Sequence, residues 1–213
     1  MARKNPGAPR LAAIVMLATL LLPLSCSSRG TQIVYLQFRP TADPAFSAPL
    51  TVGLSPFQDA RPSSQTIGKR IRVDGTSEPI MLGSPTVAQD LTQILIRQLE
   101  SRGARVTDLS GWQPEPDSLR DLPREIRVAM TGRIDALEVN ADSTLFKTTI
   151  RYRIRLTGFI GSVDRGEILT RSVEISPQKT FLQFDIRDVE EELNVSLAEA
   201  LARLVQGALP PSP

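Results

Sequence analysis

Lys147, Arg151, Arg153 and Arg155 are the side chains whose types and spacing most suggest chemistry. They recur at steps of four, two and two through a β-prone run whose alternate positions are Phe146, Thr148, Ile150, Tyr152, Ile154 and Leu156. Successive residues of a strand point to opposite faces, so all four cations are expected on one side of a sheet. Guanidinium forks bind phosphate and carboxylate bidentately, which suits anionic lipid headgroups, lipopolysaccharide phosphates or an acidic partner. The competing reading is a solvated face whose cations pair across strands with Asp135, Glu138, Glu167 or Glu174, and it is favoured because exposed sheet faces are commonly charged. Two further features invite the same weighing. Asp59 and Arg61 form a recognition pair or, as the turn chemistry of aspartate favours, a local structural clasp. Trp112, the single tryptophan, stands in a proline-rich loop where it either touches a membrane or partner, or packs as a lid over a sheet edge.

Cys26 carries a different chemistry. Arg3, Lys4 and Arg10 precede an apolar stretch from Leu11 to Leu22, too short to span a bilayer comfortably, and Pro23-Leu24-Ser25 leads into the chain's one cysteine. This layout resembles a bacterial lipobox, in which the thiol accepts a diacylglycerol and the new amino terminus is acylated after cleavage. Ser25 and the leucine-rich run fit that motif, whereas Pro23 stands where it usually has Leu. An ordinary secretory signal cleaved nearby, or an uncleaved anchor, is the alternative. Ser27 and Ser28 lack the aspartate that resembles an inner-membrane retention signal, so lipidation points to the periplasmic face of the outer membrane, with the inner membrane or a soluble periplasmic form as alternatives.

The composition excludes several function classes. The chain has no histidine, which removes Ser-His-Asp and Cys-His catalysis and imidazole metal sites. No glycine-rich phosphate loop or aspartate-rich calcium loop occurs, so the expectation is a non-enzyme with no catalytic residue, no metal and no cofactor. Three of the 25 basic residues precede Cys26, leaving 22 against 23 acidic ones and a net charge near −1 for the remaining 188 residues. The basic pI of the whole chain therefore gives no reason to expect nucleic acid. A single cysteine allows no intrachain disulfide, so stability must come from packing.

The elements that must position these residues follow from periodicity. Residues 1–25 read as a lipoprotein signal, 26–49 as the lipidated cysteine and a tether, 50–208 as a single α+β domain, and 209–213 as a disordered tail. Within the tether, Ile33 to Phe38 is β-prone and suited to an edge strand. Strands are expected over 51–55, 105–109, 126–139, 145–160 and 166–176. Residues 63–83 read as an exposed excursion holding a hairpin turned at Asp74-Gly75. A first helix is expected from a Ser84 cap with Pro85 at its first position, through Val87, Leu91, Ile94, Leu95 and Leu99, to a stop at Gly103, with Gln98 on its far side. A second is capped by Asp185 or Asp188, carries Glu190, Glu191 and Glu192 in its first turn, buries Val189, Leu193, Leu197, Ala200, Leu201, Leu204 and Val205, and ends at Gly207. Short turns then predict one antiparallel sheet of about five or six strands with both helices packed on one face.

Val52-Gly53-Leu54-Ser55-Pro56-Phe57-Gln58-Asp59-Ala60-Arg61, then Ile67-Gly68, then Leu99-Glu100-Ser101-Arg102-Gly103-Ala104, resembles the YajG-type outer-membrane lipoproteins over roughly residues 50–207. The resemblance implies an envelope lipoprotein; the arrangement is also similar to that of auxiliary lipoproteins that assist envelope transport machines. The expected function is a non-enzymatic accessory of assembly or transport, bound to the membrane through acyl chains on Cys26 and acting through an envelope protein partner. The alternative is a direct binder of a lipid or glycan in a cleft lined by Leu91, Leu95, Leu197 and Leu201. A closed core with a charged sheet face favours the accessory. Oligomeric state is not legible.

Overall fold

The computed structural model describes residues 30–37, 39, 45–46 and 48–206. Cys26, the signal, the Gly207 stop and the 209–213 tail lie outside these residues. Ten strands and two α-helices follow one another as β1 (Gln32–Val34), β2 (Leu50–Leu54), β3 (Gln58–Asp59), β4 (Thr66–Ile71), β5 (Ser77–Leu82), α1 (Val87–Ser101), β6 (Ala104–Asp108), β7 (Val128–Ser143), β8 (Thr148–Ser162), β9 (Glu167–Ile175), β10 (Gln178–Phe181) and α2 (Ile186–Val205).

The sheet departs from the expected antiparallel five or six strands: it has ten, and it is mixed. β7 is its spine. One edge of β7 pairs antiparallel with β8 along its whole length, while the other is shared in succession by β2, β3 and β4, all parallel to it. β2 also pairs parallel with β6, and β8 carries β9 and β10 on its outer edge. The physical reason is connection length. A parallel pair needs a long crossover: β2 reaches β6 only through residues 55–103, α1 among them, and β4 reaches β7 only through residues 72–127. The short hairpin joints β4–β5, β7–β8 and β8–β9 give antiparallel pairs as expected, and β10 pairs antiparallel with β8.

The hairpin turned at Gly75, whose φ is +78°, forms as the sequence suggests. It is not an exposed excursion, however. β4 pairs with β7, β5 receives β1 as a parallel edge strand, and Ile67, Ile80 and Leu82 are buried. Glu78 on β5, itself buried, is held by Arg70 at 3.4 Å and Arg72 at 2.8 Å and accepts from Gln32 Nε2 at 3.3 Å. This carboxylate ties three strands together, and burial without those cations would be costly. The residues after β1 are strapped to α2: Gln37 N donates to Asn194 Oδ1 at 2.7 Å, and Tyr35 N donates to Glu190 Oε2 at 2.9 Å.

Both helices cover the same face of the sheet, contributing to one cluster that includes Leu91, Leu95 and Leu99 of α1 and Leu193, Leu197 and Leu201 of α2. Each fully buried leucine contributes about 1.5–3 kcal/mol relative to exposure. An exposed helix pair such as Arg203 with Glu199 contributes only about 0.3–0.5 kcal/mol, so the stripe decides where α2 sits. Helix ends differ from expectation in detail. α1 starts after Thr86, and Ser84 Oγ accepts from Thr86 N at 3.2 Å rather than capping the helix. Asp185 does cap α2, accepting from Arg187 N at 2.9 Å, but Asp188 is the acid of the first turn and Glu190 to Glu192 fall beyond it. Gln98 is buried. It follows Leu91 by seven residues, two helical turns, and so returns to the buried stripe instead of the far side.

Candidate functional site

β7 and β8 set the stage for the basic face. Val128, Met130 and Ile134 point to the core; a bulge between Ile134 and Ala136 resets the phase, and Leu137, Val139 and Ala141 continue it. Opposite them, Ile150, Tyr152, Ile154 and Leu156 are buried. Arg151, Arg153 and Arg155 thus share the outer face as the alternation requires. Each finds a carboxylate there. Arg151 pairs with Asp142, Arg153 with Glu174 at 3.0 Å and Glu138 at 3.6 Å, and Arg155 Nε with Glu174 at 2.7 Å. Hydrogen bonds from Arg155 first, and then from Arg153, hold the Glu174 carboxyl below its ordinary range. Lys147 does not belong to this row. It stands in the turn between β7 and β8, exposed, and makes no ion pair among the described residues.

Asp135, the bulge residue, accepts from Arg133 Nε at 2.6 Å and Thr157 Oγ1 at 2.5 Å. Asp59 and Arg61 form a bidentate clasp: Arg61 Nε and Nη2 each reach an Asp59 carboxylate oxygen at 2.8 Å, and Nη2 also donates to Ser64 O at 2.7 Å. The Arg61 side chain is 3% exposed, and its hydrogen bonding lowers the Asp59 pKa. The pair fixes the turn between β3 and β4 and presents little to solvent. Trp112 is buried with Leu119 and Ala129 on the sheet face opposite the helices, where a Cβ on Gly161 would come 2.5 Å from Leu119 Cδ2.

The interior between helices and sheet is closed. Leu91, Leu95, Leu197 and Leu201 are fully buried, so these residues line no cleft. An open cleft of about 600 Å³ lies elsewhere, along the outer side of α1 where it meets β2 and β6. Its apolar floor is Leu54, Ile96 and Val106; Gln93 and the carboxylates of Asp90 and Asp108 stand among its walls. Asp90 Oδ2 is buried there and finds no hydrogen-bond partner among the described residues. Beside the cleft runs β6, which pairs with β2 alone and so leaves one row of backbone donors and acceptors unpaired in the sheet. A second hollow of about 530 Å³ continues past Asp108 and Ser110 to Asp121 and the Trp112 loop. The sequence reading missed this groove because it depends on β6 being an edge, a fact of strand order. The one legible signal was a polar helix face, Gln89, Asp90 and Gln93, opposite a leucine stripe.

Among the described residues no three His, Cys, Asp or Glu side chains converge to hold a metal, and no helix is long and apolar enough to cross a membrane. Tyr152 is buried beneath α2, and burial, followed by Glu192 and Asp188, pushes its hydroxyl well above the usual range, so it stays neutral.

Neither a protein-family model nor a curated protein sequence matches the chain. Among solved structures it is similar to protein XCC0632 from Xanthomonas campestris, described as DUF330, with a TM-score of 0.54 and 12% identity over 81% of this chain and 92% of that one. A putative neuraminyllactose-binding hemagglutinin homolog from Helicobacter pylori gives 0.44 and 13% over 81% and 91%. Lipoprotein GNA1162 from Neisseria meningitidis gives 0.36 and 7% over 72% and 99%. The first of these likenesses is one of fold: two helices on one face of a many-stranded, curled mixed sheet.

Proposed function

We propose that this chain is a lipid-anchored accessory protein of the bacterial envelope, held by acyl chains on Cys26 and working through protein contacts rather than catalysis. The observation that carries the reading is the pairing of a closed helix–sheet interior with an open groove beside the unpaired edge of β6. A closed interior leaves no room for a lipid or glycan between helices and sheet. A strand edge beside an apolar floor is what an extended partner segment needs, since the backbone supplies register and the groove supplies side-chain pockets. Asp90 and Asp108 favour a segment carrying Lys or Arg. The lipobox-like approach to Cys26 and the YajG-type motifs around Asp59, Arg61, Ile67 and Gly68 support an outer-membrane, periplasm-facing location.

Two measurements test this reading. Cys26→Ser should abolish labelling by a fatty-acid probe and shift the protein from the membrane to the soluble fraction, because two or three acyl chains anchor stably and none does. A photo-crosslinking residue at Gln93 should capture one envelope protein in intact cells, whereas the same residue at Ser172 on β9 should not. Equal capture from both positions, or none from Gln93, would remove the groove from the proposal.

A further inference from the structure

Four apolar side chains stand out of the fold at one end of the sheet. Phe146 and Leu145, at the tip of the β7–β8 turn, are 83% and 79% exposed; Leu182, just past β10, is 86% exposed; Val73, at the β4–β5 turn, is 54% exposed. Strand registers bring them together. Ser143 pairs with Thr148 to close the β7–β8 hairpin, Phe181 pairs with the same Thr148, and Ile71 pairs with Asp142. Leu182 therefore lies level with Lys147, and Val73 level with Thr144. Exposed apolar residues are ordinary when scattered; converging on one tip, they mark a contact surface.

The course of the chain says what that surface meets. β1 runs parallel to β5 with Gln32 opposite Ile80, and Ile80 pairs with Gly68, which pairs with Val139. Followed backwards from Gln32, the chain leaves the sheet toward the end where β7 finishes and Leu145 and Phe146 project. Cys26 lies four residues before Gly30, which at full extension is at most about 14 Å. Gly30 is level with Glu78 and, across β4, with Ala141. The turn from Thr144 stands three residues beyond Ala141, roughly 10 Å along the strand. The chain thus leaves the sheet at the tip's end of the molecule, with Cys26 within extended reach of the level of the tip.

We infer that the ends of the β7–β8 and β4–β5 hairpins, with Leu182, dip into the bilayer that receives the acyl chains, so that the domain is oriented as well as tethered. The inference rests on the anchoring of Cys26 proposed above. Leu145, Phe146 and Leu182 enter the headgroup and acyl boundary, while Lys147 reaches the anionic headgroups; its aliphatic stem suits the same interface. The chemistry differs from that of the arginine row, whose cations already face carboxylates. In this orientation the opposite end of the β7–β8 ladder, with the turn at Arg165 and the groove beyond Asp108, faces away from the membrane and remains open to partners.

The test uses the full chain, whose only native thiol is consumed by acylation. Phe146→Cys, Leu182→Cys and Arg165→Cys are each labelled with an environment-sensitive fluorophore and reconstituted into phosphatidylethanolamine and phosphatidylglycerol vesicles. All three sites are exposed, so the substitutions spare the core. Labels at 146 and 182 should show blue-shifted emission quenched by nitroxide-bearing lipids, and the label at 165 should keep its aqueous spectrum. Aqueous emission at 146 and 182 in fatty-acid-labelled, vesicle-bound protein overturns the inference and leaves the anchor standing. A blue shift without quenching also overturns it, since the tip would then be covered by protein. Failure of Cys26 to take up the fatty-acid probe overturns the anchor and this inference with it.

Discussion

The backbone of Gly68 passes so close to Val139 that a Cβ on the glycine would lie 1.8 Å from the Val139 carbonyl oxygen. Gly68 begins the parallel pairing of β4 with β7 and sits at the register shift between β4 and β5 with φ of +156°. Because the obstacle is backbone, nothing nearby can rotate away. Gly68→Ala should destabilise the protein by more than about 2 kcal/mol in urea unfolding. Gly75→Ala, at positive φ with open space around it, should cost only about 1 kcal/mol. Equal losses would show that backbone conformation, not the close approach, dominates at Gly68.

Leu95 and Leu201 are fully buried on α1 and α2. Leu95→Ala and Leu201→Ala should each cost about 2–5 kcal/mol, the lost transfer energy plus a cavity. Arg97→Ala, on the exposed side of α1, should stay within about 0.5 kcal/mol. Chemical denaturation of the three variants checks the assignment of the helix faces.

Reversing Arg151, Arg153 and Arg155 to Glu should lower Tm, because the new carboxylates would face Asp142, Glu138 and Glu174. These pairs are half-exposed, so the loss should shrink as salt screens it. An unchanged Tm with loss of binding to anionic vesicles would instead identify the row as a docking face.

Glu174 predicts an acid-side dependence. Its folded pKa lies below the ordinary glutamate value of 4.5 because Arg155 and Arg153 bond the ionised form. A depressed pKa contributes stability that is fully present above the unfolded value and disappears as pH falls through the folded one. The wild type should therefore lose stability relative to Glu174→Gln as pH drops below about 4.5, and the two curves should run parallel above that pH. Paired melts across the acid range measure the difference.

The apolar periodicity of the sequence determined both helices, because the leucine stripes at 91, 95 and 99 and at 193, 197 and 201 have no other way to leave water. It also determined the alternation that puts Arg151, Arg153 and Arg155 on one face, and the Asp74-Gly75 turn, whose positive φ glycine provides. The phase change from Met130 and Ile134 to Leu137 and Val139 was written in β7 as well, and only the bulge explains it. Parallel pairing of β7 with β2 and β4 was not legible, since strand order depends on contacts far apart in sequence and the residues of a parallel and an antiparallel strand look alike. Tertiary structure alone decided that Glu78 is buried, that Trp112 lies under the sheet, that β6 is an edge beside a groove, and that Val73, Leu145, Phe146 and Leu182 gather at one tip. Each of these depends on which surfaces meet, and no local pattern of side chains records that.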